Sequence, residues 1–158
     1  MEDRMTEQLV SEFAKDLLGE LAPQEKALFK PMSEAYFRDP GKVLAAQQGK
    51  DELLGFGAAE AATLITPIVL AVSTEVVHFL FQEARKAIQS ESSSLINETV
   101  KSWFSKLQPK EKEESPPPLT QEQLEQVREI AIKKARQLKL SEKNTKLLAD
   151  AIVGGLAA

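Results

Sequence analysis

Four polar residues inside an otherwise apolar stretch carry the clearest chemical signal in this chain: Glu75, His78, Gln82 and Arg85. They follow one another at three- and four-residue spacing, so on a helix they share one face. Glu75 and His78 are then close enough for a carboxylate–imidazole pair, either a structural polar contact or a pH-sensitive element. His78 is the only histidine, and cysteine is absent. Paired-histidine metal sites, HExxH, thiolate chemistry and disulfide frameworks are therefore excluded. A serine–histidine–acid triad would have to use His78, and no GxSxG elbow occurs. The paired carboxylates Asp51-Glu52 and Glu113-Glu114 fall in loop or linker sequence, where solvated charge explains them. Gly55-Phe56-Gly57 follows no strand and lacks the third glycine of a phosphate loop, so it reads as a hinge into the central helix. These features predict a non-enzymatic protein with no cofactor and no metal.

A second set lies near the C-terminus. From Thr120 to Ala158 there are seven basic residues against five acidic ones, and Arg128, Lys133, Lys134 and Arg136 form the densest group. A helix–turn–helix outline there invites comparison with DNA binding. A surplus of two charges is weak footing for phosphate contact, and the whole chain carries a formal charge of -4. Nucleic acid is therefore disfavoured. The four cations instead mark a hairpin surface for protein contacts, or for anionic lipid if the chain reaches a membrane.

Both sets need helices to position them. Leu9, Val10, Phe13, Leu17, Leu18 and Leu21 recur at helical spacing and predict an amphipathic helix from about Thr6 to Leu21. Prolines and glycines punctuate residues 23 to 57, leaving room for short helices at Pro31 to Arg38 and Lys42 to Gln48. Asp39-Pro40-Gly41 reads as a turn. Phe29, Tyr36, Phe37 and Phe56 anchor this layer on the core rather than caging a ligand. Pro67 sets a kink or a helix start in the central region, and the run Ser90 to Ser94 interrupts it. Beyond that run, Leu95, Ile96, Val100, Trp103, Phe104 and Leu107 make one apolar stripe.

Gln108 to Leu119 holds four prolines and alternating charges and reads as a solvated, semi-extended linker. After it, Thr120 and Gln123 make a capping box, with Leu119 and Leu124 spaced as a hydrophobic staple. Leu124, Val127, Ala131, Ala135 and Leu138 mark a face. Ser141 caps a second helix with apolar Leu147, Leu148, Ala151 and Ile152, ended by Gly154-Gly155. The expected class is all-α: a helical body at 1–107, a Pro/charged linker at 108–119 and a C-terminal helical hairpin at 120–158. The hairpin either docks on the body or binds a partner.

The stretch Ala61 to Phe81 decides between two functions. Fourteen uncharged residues separate Glu60 from Glu75, fewer than the roughly 20 apolar residues of a membrane span. Traced backwards, the polar stripe continues near Ala71, Pro67, Leu64 and Glu60. The leading expectation is an interaction or assembly module whose central helix is buried by its own body or by a homo-oligomer. The alternative is a membrane-inserting anchor or pore component that protects Glu75 and His78. The opening MEDRMTEQLVSEF does not read as a secretory signal, Glu2 excludes myristoylation, and the internal Lys50-Asp51-Glu52-Leu53 is not a retention signal. A cytoplasmic setting is expected, with membrane association under the alternative.

Overall fold

The computed structural model describes residues 2–47, 64–88, 93–103 and 119–156. Among these residues the chain is all-α, with no strand. Helix α1 (Glu2–Leu21) leads into a 3-10 helix (Pro23–Leu28), then α2 (Phe29–Arg38) and α3 (Pro40–Gln47). The central helix α4 (Thr66–Ile88) is followed by α5 (Ser93–Trp103), α6 (Gln121–Gln137) and α7 (Glu142–Gly155).

Helix α4 is the hub. It packs most extensively on α1 and also meets α2, α3, α5 and α6, while α7 closes against α1. Every residue from Thr66 to Ser73 is buried. Val76, Val77, Leu80, Phe81 and Ala84 continue that packing in the second half. Each large aliphatic side chain taken from water contributes about 1.5–3 kcal/mol, so this helix is the main apolar investment of the fold. Helix α1 supplies Leu9, Val10, Phe13, Ala14, Leu17 and Leu18 to the same core, as its spacing predicts.

The central helix starts at Thr66, beside Pro67, where proline satisfies its backbone constraints. Its first amide groups are capped from 40 residues away. The buried Glu25 carboxylate of the 3-10 helix accepts from the Ile65 amide at 3.0 Å and from the Thr66 amide at 3.0 Å. It also accepts from the Thr66 hydroxyl at 2.7 Å. A negative group at a helix N-terminus satisfies orphan donors and complements the helix dipole. From Thr66 to Phe81 the apolar part of α4 rises about 24 Å at ~1.5 Å per residue, short of a ~30 Å hydrocarbon core. No helix among the described residues is long and apolar enough to cross a membrane.

The hairpin docks. Helix α6 lies on α4 and α7 on α1. Val127, Ala131, Ala135, Leu148, Ala149 and Ile152 belong to the same hydrophobic core as the body. The capping box is formed in both directions, Thr120 N to Gln123 Oε1 at 2.9 Å and Gln123 N to Thr120 Oγ1 at 3.0 Å. Ser141 caps α7 through the Asn144 amide at 3.2 Å. Between them, Leu140 N bonds to Ala135 O and Lys139 N to Arg136 O, each at 3.0 Å. This is a Schellman turn, and Lys139 occupies its left-handed position at φ 64 where glycine is usual.

Several expectations change. Asp39-Pro40-Gly41 begins α3 rather than making a turn: Asp39 Oδ1 accepts from the Lys42 amide at 3.1 Å, with Pro40 in the first helical position. Leu95 and Leu147, which spacing places on apolar faces, are 51% and 47% exposed, because their neighbours Ile96 and Leu148 take the inward positions. Phe56, Gly55-Phe56-Gly57, Phe104, Leu107, the linker before Leu119 and Ala61 to Thr63 lie outside the described residues.

Candidate functional site

The second half of α4 is amphipathic because its polar residues recur on one side of an otherwise apolar sequence. Glu75, His78, Gln82 and Arg85 are all exposed, so the stripe faces solvent. Its backward continuation does not. Pro67 and Ala71 are buried and Leu64 is partly covered, since the first half of α4 is wrapped on all sides. The stripe therefore begins near Thr74, and clefts open on both of its flanks.

On the hairpin side, a cleft of about 300 Å³ is lined by Glu75, Ile130, Lys133, Lys134 and Gln137. Here the two sequence-derived sets meet. Lys134 Nζ lies 3.8 Å from Glu75 Oε1, joining α6 to α4. Glu75 thus turns toward the hairpin rather than to His78. Farther along, Gln123 Nε2 donates to Glu83 Oε1 at 3.0 Å, so the capping residue of α6 is also a tie to α4. That bond holds the Glu83 carboxyl below the usual carboxylate range, against a smaller effect of burial and with help from Lys86.

Two other hairpin cations are engaged within the hairpin. Arg128 pairs with Asp150 of α7. Arg136 forms a two-pronged contact with Glu142 across the turn, at 3.1 Å from Nε and 3.1 Å from Nη2. Both pairs are substantially exposed and contribute little stability individually. Their effect here is to occupy charges that the sequence offers to a partner. Of the four predicted contact residues, only Lys133 is exposed without an ion pair among the described residues.

On the other flank, a cleft of about 240 Å³ is lined by Thr6, Glu7, Val10, Tyr36, Phe37, Pro40, Thr74 and His78. Helix α2 places Tyr36 and Phe37 there with ring centroids 5.5 Å apart and planes at 75°, forming a corner. Thr74 donates its hydroxyl hydrogen to Leu70 O at 2.8 Å and lies 3.4 Å from the Tyr36 hydroxyl, which fixes the ring against α4. Burial pushes the Tyr36 phenol above its ordinary pKa and the Glu75 charge adds to the rise, so the ring stays neutral. Glu7 is exposed at the rim and has no hydrogen bond or ion pair among the described residues.

The sequence identified His78 but not the residues that surround it. Tyr36 and Phe37 stood out as core anchors, which Tyr36 is; nothing local linked them to a histidine some forty positions away. A third cleft of about 290 Å³ lies between α1 and α7, beside Phe13, Asp16, Glu20 and Asp150. Among the described residues no group of three or more histidine or acidic residues is arranged to hold a metal ion. No protein-family model matches the chain, and no curated protein or solved structure matches it either.

Proposed function

We propose that this protein is a non-enzymatic helical interaction or assembly module, and that the outer face of α4 is its recognition surface. The observation that carries this reading is the exposed stripe Glu75, His78, Gln82 and Arg85 running between two clefts on a helix whose other sides are buried. A buried helix keeps the floor of such a surface rigid, which lowers the ordering cost of binding. The clefts on either side supply shape and the stripe supplies hydrogen-bonding groups. The hairpin contributes a wall of this surface rather than a separate arm, because α6 packs along α4.

The test is site-specific photo-cross-linking in the native host. A photoreactive side chain at Gln82, on the stripe, is compared with one at Gln126, exposed on α6. The reading predicts a discrete protein adduct, to a second copy or to another chain, from Gln82 and little from Gln126. Equal yields from both positions, or no adduct from Gln82, would contradict it.

A further inference from the structure

We propose that the cleft between α1, α2, α3 and α4 receives a basic side chain, arginine or lysine, from a partner segment. This rests on the recognition surface proposed above and specifies the chemistry of its occupant. Glu7 places a carboxylate at the rim with no cation beside it among the described residues. Val10, Pro40, Phe37 and Tyr36 line the same cleft as apolar and aromatic walls, and among the described residues no lysine or arginine lines it. A carboxylate and an aromatic corner lining one cleft are the combination that favours a long cationic side chain: the aliphatic stem packs on the walls while the charge meets the rings and the acid.

Size narrows the occupant. A volume of about 240 Å³ is below the roughly 300–1,000 Å³ of small-molecule pockets, and it suits one long side chain better than a cofactor. Charge points the same way, since a chain of formal charge -4 attracts a basic segment more readily than an acidic one. The opposite cleft lacks this opening, because its carboxylate, Glu75, already faces Lys134 at 3.8 Å. Tyr36 is neutral, so among the described residues that line the aromatic cleft Glu7 is the one acidic side chain.

The full chain is titrated with three capped tripeptides, Gly-Arg-Gly, Gly-citrulline-Gly and Gly-Glu-Gly, and followed by backbone amide shifts. The arginine peptide is expected to shift Glu7, Tyr36, Phe37 and His78 saturably. Citrulline has the same shape without the charge and is expected to bind about five-fold more weakly. The glutamate peptide should leave this cleft unmoved. Glu7→Gln, at an exposed position that leaves the core intact, should remove the preference for arginine over citrulline. Equal binding of arginine and citrulline, shifts confined to Lys133 and Lys134, or an unchanged preference in Glu7→Gln would overturn the proposal. A Gln82 adduct without arginine selectivity would leave the recognition surface standing and reject its basic occupant. Arginine-selective shifts with no Gln82 adduct would do the reverse.

Discussion

The two clefts beside the α4 stripe have similar sizes and different electrostatic histories. Toward the hairpin, carboxylate and ammonium groups come from different helices and satisfy one another: Glu75 meets Lys134, and Glu83 takes a bond from Gln123. Toward α2, Glu7 lines a cleft with Tyr36 and Phe37 and has no ion pair among the described residues. A count of charges therefore does not locate a recognition site. The C-terminal region has seven basic residues against five acidic ones, yet three of its four most prominent cations are paired inside the protein.

Removing Glu25 should break the comparison most severely, because both clefts are built on α4 and this buried carboxylate caps its start. Glu25→Ala leaves the Ile65 and Thr66 donors unsatisfied and should cost about 3 kcal/mol. Urea denaturation measures the loss, and a cost below about 1 kcal/mol would show that water replaces the cap. Glu25→Gln should be intermediate, since it keeps one acceptor oxygen.

Gln123→Ala should disturb one flank only. It removes half of the capping box and the bond to Glu83, for about 1–2 kcal/mol. Amide exchange should accelerate along the first turns of α6 while Tyr36 and Phe37 keep their protection. The pH dependence follows from the lowered Glu83 pKa. Stability from the charged carboxylate is full above its reference value of 4.5 and is lost as pH falls through the lower folded value. Gln123→Ala should therefore lose less stability on acidification than the parent chain. An identical acid profile would place the effect elsewhere.

Two smaller changes sharpen the contrast. Lys139→Gly relieves a left-handed residue in the hairpin turn and should stabilise by about 1 kcal/mol, leaving the aromatic cleft untouched. Breaking the exposed Glu75–Lys134 pair should matter least. A double-mutant cycle with Glu75→Gln and Lys134→Gln should return a coupling of about 0.5 kcal/mol or less. A coupling above 1 kcal/mol would mean that the hairpin flank depends on this pair.

What the sequence made legible was local. The capping box at Thr120 and Gln123, the Ser141 cap and the faces of α1 and α6 depend on residues within a turn or two, so spacing exposes them. The solvent-facing stripe was legible for the same reason, but only from Glu75 onward. Its buried half depends on α1 and the neighbouring helices wrapping α4, which periodicity within α4 does not encode. Glu25 reads as an ordinary surface acid until Thr66 is brought to it across 41 positions. The Asp39 cap is hidden in the sequence because Asp-Pro-Gly suits both a turn and a helix start, and the residues that follow decide. Pairing between Glu75 and Lys134 was invisible because the hairpin's docking direction is a property of the assembled core.

The central claim is that recognition centres on the aromatic flank of α4, and one comparison tests it directly. With the photoreactive side chain at Gln82, adduct yield is measured in the parent chain, in Glu7→Gln and in Lys133→Gln. Both substitutions neutralise one exposed charge on opposite sides of the stripe. Glu7→Gln is expected to lower the yield several-fold and Lys133→Gln to leave it unchanged. A loss confined to Lys133→Gln would contradict the central claim and move the recognition surface to the hairpin side.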